Sequence, residues 1–317
     1  MSSTSHPSAP TTSAATSTLW LALASVYLIW GSTYLVMRWV VAELPPMLMG
    51  AMRFTAAGAI LLTWARLRGA PWPSRTHWRN AAVIGALMFV GGNGVVALAE
   101  RSISSGVAAV VCATMPLWLA LMTVATGERM RGREILGQVL GFVGVVVLLG
   151  GQLGGAELGG TLLVVVSPLS WAAGSLLSRR LVLPAGPMAP ALQMLCGGLL
   201  MAGIGLGTGE RIHAVPSTGV IVGQLYLLVA GSLVAFSAYA WLLRHARPAL
   251  ATSYAFVNPP IAVLAGIAFG GEAIGGTLVV ATALVVAAVA LVVIKPSPSP
   301  AGRAAPATPA PPGPAPR

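Results

Sequence analysis

Apolar stretches of about twenty residues, separated by short polar breaks, follow one another along almost the whole chain. At a rise of 1.5 Å per residue, roughly 20 helical residues span the hydrocarbon core of a bilayer. Ten stretches of that order lie at 19–41, 46–66, 79–99, 103–126, 134–151, 160–178, 187–208, 219–243, 248–270 and 275–294. The breaks between them collect proline, glycine and charge, as short connections do. The pattern predicts an all-α integral membrane protein with ten transmembrane helices. Residues 1–18, rich in Ser, Thr, Ala and Pro, lack the positive n-region of a secretory signal and read as a disordered tail. The Pro/Ala-rich segment 295–317 cannot build a core and reads as a second disordered tail.

Composition agrees with this class. The chain is 56% hydrophobic and 8% charged, too few charges to wet the surface of a soluble fold of 317 residues. All seven acidic residues are glutamates, and seventeen of the eighteen basic residues are arginines scattered at the ends of apolar runs. No basic block with interleaved aromatics occurs, so the net charge of +11 is not read as a nucleic-acid footprint. It reads as an orientation signal instead. Alternate connections and the C-terminal tail hold fourteen basic residues; the opposite connections hold only Arg101 and Arg211. Both termini are therefore expected on the cytoplasmic side. Cys112 and Cys196 lie inside apolar runs and are expected to form no disulfide.

A second pattern overlies the first. Pro116, Gly127, Glu128 and Gly132 recur 144 residues later as Pro260, Gly271, Glu272 and Gly276. Trp30, Arg38, Pro46 and Met47 recur 141 residues later as Trp171, Arg179, Pro187 and Met188. Matches of Trp, Pro and Glu in the same order predict two five-helix repeats, at 19–151 and 160–294. Five is odd, so the second repeat enters the membrane from the opposite side. The two halves then form inverted repeats, the architecture of many secondary transporters.

Several chemistries are excluded. No phosphate-cradling loop with a following Lys-Ser/Thr is present, and the only lysine is Lys295. Proteolysis by an aspartate pair is impossible without aspartate. His6, His77, His213 and His245 fall at or beyond helix ends, and no His/Cys/Glu cluster has metal-ligand spacing. No enzymatic activity, cofactor or metal is expected.

The stretch VYLIWGSTYLVMRWVVAELPPMLMGAMRFTAAGAILL (26–62) resembles the EamA-type members of the drug/metabolite transporter superfamily. The likeness continues through GGNGVVALAERSISSGVAAVVCATMPLWLALM (91–122), SWAAGSLLSRR (170–180) and SYAFVNPPIAVLAGIAFGGE (253–272), covering everything between the tails. The resemblance implies ten helices, cytoplasmic termini, a bacterial inner-membrane location and export of small organic solutes such as amino acids or toxic compounds. It also implies a central cavity lined by the first, third, fourth, sixth, eighth and ninth helices. It names no substrate and no oligomeric state.

Candidate residues follow from cost. Arg53 sits a third of the way into its helix, where arginine costs on the order of 2.5–3.5 kcal/mol. It either snorkels to the interface or binds a carboxylate or holds a gate in an interior cavity. Trp30 and Trp171, with Ser32 and Ser175 nearby, lie too deep for a headgroup belt and either line a cavity or pack helices. Tyr34 is expected in the same cavity, and Tyr239 and Tyr254 near it. Asn93, Asn258 and Thr114 either contact solute or make interhelical hydrogen bonds. Asn258 precedes Pro259 and Pro260, which free backbone carbonyls and are expected to accompany an unwound turn. Pro116 and Pro260 are either hinges or static kinks. Glu128 and Glu272 read as helix-boundary residues that accept N–H groups at the start of the following helix. Glu100 beside Arg101 reads as a surface pair rather than a proton carrier, with no carboxylate in the middle of any helix and with facilitated, exchange or Glu100-coupled transport all open. Gly137/Gly141, Gly203/Gly207 and Gly266/Gly270 are expected at close helix contacts.

Overall fold

A computed structural model describes residues 12–125, 132–151, 157–246, 253–273 and 275–293. Glu128, the segment 1–11 and the C-terminal tail lie outside the described residues. Among the described residues the regular structure is all helical: α1 (Thr12–Val41), α2 (Pro46–Leu67), α3 (Arg75–Ala99), α4 (Ser105–Val124), α5 (Gly132–Gly150), α6 (Glu157–Arg180), α7 (Met188–Gly207), α8 (Thr218–Tyr239, continuing to His245), α9 (Tyr254–Gly270) and α10 (Gly276–Val293). The first eight contain spans long and apolar enough to cross a membrane; α9 and α10 supply shorter apolar helices, Val257–Gly270 and Gly276–Leu291. The ten expected spans thus stand as eight of full length and two shorter helices among the described residues. Helix α1 begins at Thr12, inside the segment expected as a disordered tail.

The bundle is apolar on its outside as well as its inside. Leu28, Val146, Leu264 and Phe269 are each more than 60% exposed, as suits helices solvated by lipid chains. Inside, contact is made by small residues. A Cβ at Gly58 would lie 2.5 Å from the Leu195 backbone nitrogen, and one at Gly198 would lie 2.5 Å from that of Thr55. One at Gly85 would lie 2.6 Å from the Gln193 carbonyl. Helices α2, α3 and α7 therefore pack backbone to backbone. Gly144 lets α5 lie close on α10, where a Cβ would stand 2.9 Å from the Val285 side chain, and Gly141 makes room for Leu117 of α4. The expected Gly203/Gly207 contact does not form, because both glycines face open space.

Two helices change pitch at matching places. Ala86–Gly94 in α3 and Leu227–Val234 in α8 are π-helical, and they start 141 residues apart. A π turn widens the helix and leaves backbone carbonyls offset from their usual partners. In α3 these carbonyls accept from Ser170 and Asn93, at 2.8 and 3.5 Å. In α8 they accept from Trp30 and Ser232, both at 3.1 Å. Helix α4 breaks at Ala113–Thr114, since Pro116 has no N–H for the Cys112 carbonyl. Helix α9 runs on through Pro259 and Pro260 without a break, so the expected unwound turn is absent.

Charge separates the two ends of the bundle. Glu43, Glu100, Glu157, Glu210 and Glu272 fall where α1, α3, α7 and α9 finish or α6 begins, the acidic end. Arg66, Arg68, Arg75, Arg79, Arg179 and Arg180 mark the other, basic end.

A central cavity and a carboxylate latch

The π segments sit beside a cavity of about 120 Å³ lined by α1, α2, α3, α4, α6, α8 and α9. Of the residues singled out in the sequence, Trp30, Tyr34, Arg53, Asn93, Trp171, Tyr254 and Asn258 all line it. The two tryptophans occupy matching places. Trp30 donates its indole N–H to the Gly231 carbonyl in the π segment of α8. Trp171 lies against Gly92 in the π segment of α3, so closely that a Cβ there would stand 2.7 Å from its ring. Gly92 thus admits an aromatic ring that any side chain would crowd, while a Cβ at Gly231 would stand 2.9 Å from the Arg53 guanidinium. Trp30 also meets Tyr254 and Tyr239 at ring-centre distances of 5.0 and 5.2 Å. The wall on this side is therefore an aromatic cluster with its hydroxyls among the rings.

Arg53 is the cavity's charge. It is 6% exposed, so it does not snorkel to the interface. Its Nε donates to the Ser232 hydroxyl at 2.8 Å, and its guanidinium lies 4.7 Å over the Phe54 ring. No carboxylate comes within 4.0 Å of it among the described residues; the ion pair there is Arg38 with Glu272. The Oδ1 of Asn258 is buried and accepts no hydrogen bond. A guanidinium and a carboxamide thus line the same aromatic-walled space.

Other expectations fail to meet here. Ser32 gives its hydroxyl to the Leu28 and Ile29 carbonyls and shares a hydrogen bond with Tyr226, away from the cavity. Thr114 back-bonds to Val111 and borders a separate apolar groove with Trp118 and Phe142. Ser175 does not line the cavity, and Tyr239 reaches it only through its ring contacts. Phe54, Phe89, Phe236, Cys112 and Ser167 do line it, though sequence reasoning passed over them. In a chain this apolar, one more Phe or Ser carries no signal of its own. Pro116 stands at the α4 break, and Pro260 inside α9.

At the acidic end three carboxylates each cross between the two halves. Glu43, after α1, accepts from the N–H and hydroxyl of Ser217, both at 2.7 Å, at the start of α8. Glu210, after α7, accepts from the N–H groups of Met47 and Leu48 at the start of α2, at 3.2 and 2.9 Å. Glu272, after α9, accepts from the N–H and hydroxyl of Ser105 at 2.9 and 2.7 Å, from the Gly106 N–H at 3.3 Å, and from Arg38 at 2.5 Å. Each carboxylate fills the orphan donors and the positive dipole of a distant helix N-terminus. For Glu272 this corrects the expectation of a bond to the following helix.

The glycine before each of two such glutamates explains the Gly-Glu pair. Gly271 and Gly209 end their helices with φ of +63° and +84°, a left-handed turn that costs glycine nothing. The next N–H then turns back, from Glu272 to the Gly266 carbonyl and from Glu210 to the Gly205 carbonyl. That turn throws the carboxylate across the bundle. The Gly209-Glu210 pair was legible in the sequence but lacks a repeat partner, so it went unnoticed. Burial pushes the Glu272 carboxyl up, yet the Ser105 bonds, Arg38 and Gly106 together hold it below the ordinary carboxylate value. Glu43 is held low by its backbone and hydroxyl bonds from Ser217.

The model of the EamA-like transporter family matches the chain twice, over residues 16–150 and 158–294. The chain belongs to the EamA-like transporter family. Among relatives, the inner membrane transporter YedA of Escherichia coli (strain K12) is 42% identical over 275 residues, covering 86% of this chain and 90% of YedA. Protein PecM of Dickeya dadantii (strain 3937) is 26% identical over 268 residues, covering 83% of this chain and 88% of PecM. A protein of known crystal structure shares the fold with a TM-score of 0.60 at 24% identity, covering 89% of this chain and 96% of that one. Among the described residues this member of the family is all-helical, with eight helices long and apolar enough to cross a membrane.

Proposed function

We propose that the protein exports small organic solutes bearing an anionic group, amino acids among them, across a bacterial inner membrane by alternating access. The reading takes the two halves as inverted repeats meeting at the cavity, with both termini and the basic end cytoplasmic. Two features support the repeat. The π segments start 141 residues apart, the same offset as Trp30 and Trp171. Helix contacts are also preserved when the halves are exchanged: α1 with α9 answers α6 with α4, and α3 with α6 answers α8 with α1. The arginine bias places the basic end inside.

Arg53 carries the substrate reading. A buried guanidinium with one neutral hydrogen-bond partner costs free energy that a solute's anionic group offsets on binding. The aromatic walls take the solute's apolar body, and Asn258 offers an acceptor for an ammonium or hydroxyl. With the acidic end latched, solute enters from the cytoplasmic side, and release outside follows opening of the latch.

The test is mass spectrometry of the medium around bacteria expressing the chain, beside expression-matched Arg53→Ala cells. An anionic or zwitterionic compound should accumulate outside only with the intact protein. Unchanged media across varied nutrients, with folded protein in the membrane, would overturn export. Depletion of the same compound from the medium would mark uptake instead.

A further inference from the structure

Glu100 follows the last residue of α3 and is 2% exposed; both of its carboxyl oxygens are buried without a hydrogen-bond partner. Its sequence neighbour Arg101 is exposed, so the expected surface pair does not form. An ionised carboxylate in that setting would have neither water nor donor to hold its charge. A neutral carboxyl avoids the larger part of that cost.

The position connects the cavity to the latch. Glu100 lies within electrostatic reach of Tyr34 and Cys112 on the cavity side, and of Arg38 and Glu272 on the latch side. The short connection after it leads to Ser105, whose N–H and hydroxyl Glu272 grips. The charged groups of the surrounding elements are few. Helix α1 brings Tyr34 and Arg38, α4 brings Cys112, and Glu272 follows α9. Helix α6, packed on the last turn of α3, opens with Glu157. Helix α2 brings Arg53, which is bonded to Ser232, and Arg66 at the other end of the bundle.

We propose that Glu100 is a proton-binding site that operates the Arg38–Glu272 latch. While Glu100 holds its proton, Arg38 belongs to Glu272 and the acidic end stays closed. When the carboxyl gives its proton to water at that end, a second anion competes for Arg38 and repels Glu272. The grip on Ser105 and Gly106 then loosens, and the cavity opens toward the acidic side. Burial pushes the Glu100 carboxyl well above the ordinary range, the Glu272 carboxylate pushes it further, and Arg38 acts the other way. A protonated Glu100 and a closed latch thus favour one another, and rising pH favours opening. The inference rests on the proposed opening of the acidic end, though not on the identity of any solute.

Two measurements test it with full-length protein in a Cys196→Ala background, leaving Cys112 in the cavity wall as the reporter. An impermeant thiol reagent is added to sealed vesicles on the side that exposes the acidic end. Glu272→Gln, which removes the latch, sets the open rate at each pH and cancels the thiol's own pH dependence. Relative to it, wild-type labelling should rise about tenfold per pH unit until the Glu100 midpoint. Above the range where Glu272 itself takes up a proton, Glu100→Gln should stay slow as pH rises. In the second measurement, infrared spectra of folded protein at neutral pH should contain a protonated-carboxyl stretch that Glu100→Gln abolishes. Absence of that band in the wild type, labelling of Glu100→Gln that tracks the wild type, or slow labelling of Glu272→Gln would each overturn the proposal. Failure to find an exported solute, with these three results as expected, would instead count against the transport reading alone.

Discussion

Arg53 and Glu272 are the two charges whose surroundings ask most of them. Arg53→Gln keeps hydrogen-bonding capacity but removes the cation, so transport of an anionic solute should fall by at least about tenfold, the equivalent of 1.4 kcal/mol. Arg53→Lys should recover only part of it, because an ammonium cannot reproduce the planar guanidinium fork. Glu272 contributes in the opposite sense to Glu100. Its lowered pKa means its bonds stabilise the closed end above the ordinary carboxylate range, and are lost as pH falls through the lowered value. Closure should therefore span a pH window, bounded below by protonation of Glu272 and above by ionisation of Glu100. A pH series of thiol labelling from the acidic side should trace both edges. That Arg53 needs an interior setting or an interfacial exit was legible in the sequence, because arginine is costly inside a helix, and its burial decides between the two. The burial of Glu100 was not, since its adjacent Arg101 suggested a surface pair. Nor was the bond from Glu272 to Ser105, which spans 167 residues.

Helices were legible because their apolar runs are long; their contact faces were not. Small-xxx-small spacing pointed equally to Gly203/Gly207, which face open space, and to Gly141, which meets the Leu117 and Ala288 side chains. Gly58, Gly85 and Gly198, which touch another backbone, stood outside the pairs it marked. Gly198→Val should disrupt the α2–α7 contact and cost about 1–3 kcal/mol or more, read as a lower unfolding temperature in detergent. Gly203→Ala should be neutral or slightly stabilising, since nothing lies within 4 Å of the new methyl. Equal losses for the two would contradict this packing. The π segments also escaped the sequence reading, because a turn with one extra residue leaves the apolar composition unchanged. Their effect on the site is large: they bring Gly92 and Gly231 against the tryptophans and Ser232 to Arg53.

Across the whole molecule, one end is held by three carboxylates reaching between halves, while the cavity beneath holds a buried cation. That division of labour suits a carrier: solute is recognised at the centre, and access is decided at the ends. The repeat was visible in the sequence as paired Trp, Pro and Glu, but its cavity needed three-dimensional placement of side chains from seven helices. The most direct test is solute flux in proteoliposomes, with wild-type and Arg53→Ala proteins incorporated equally and verified as folded. The account predicts saturable flux of an anionic or zwitterionic organic solute through the wild type, reduced at least about tenfold by Arg53→Ala. Equal flux through both proteins, or no saturable flux from a folded wild type across that solute class, would contradict it.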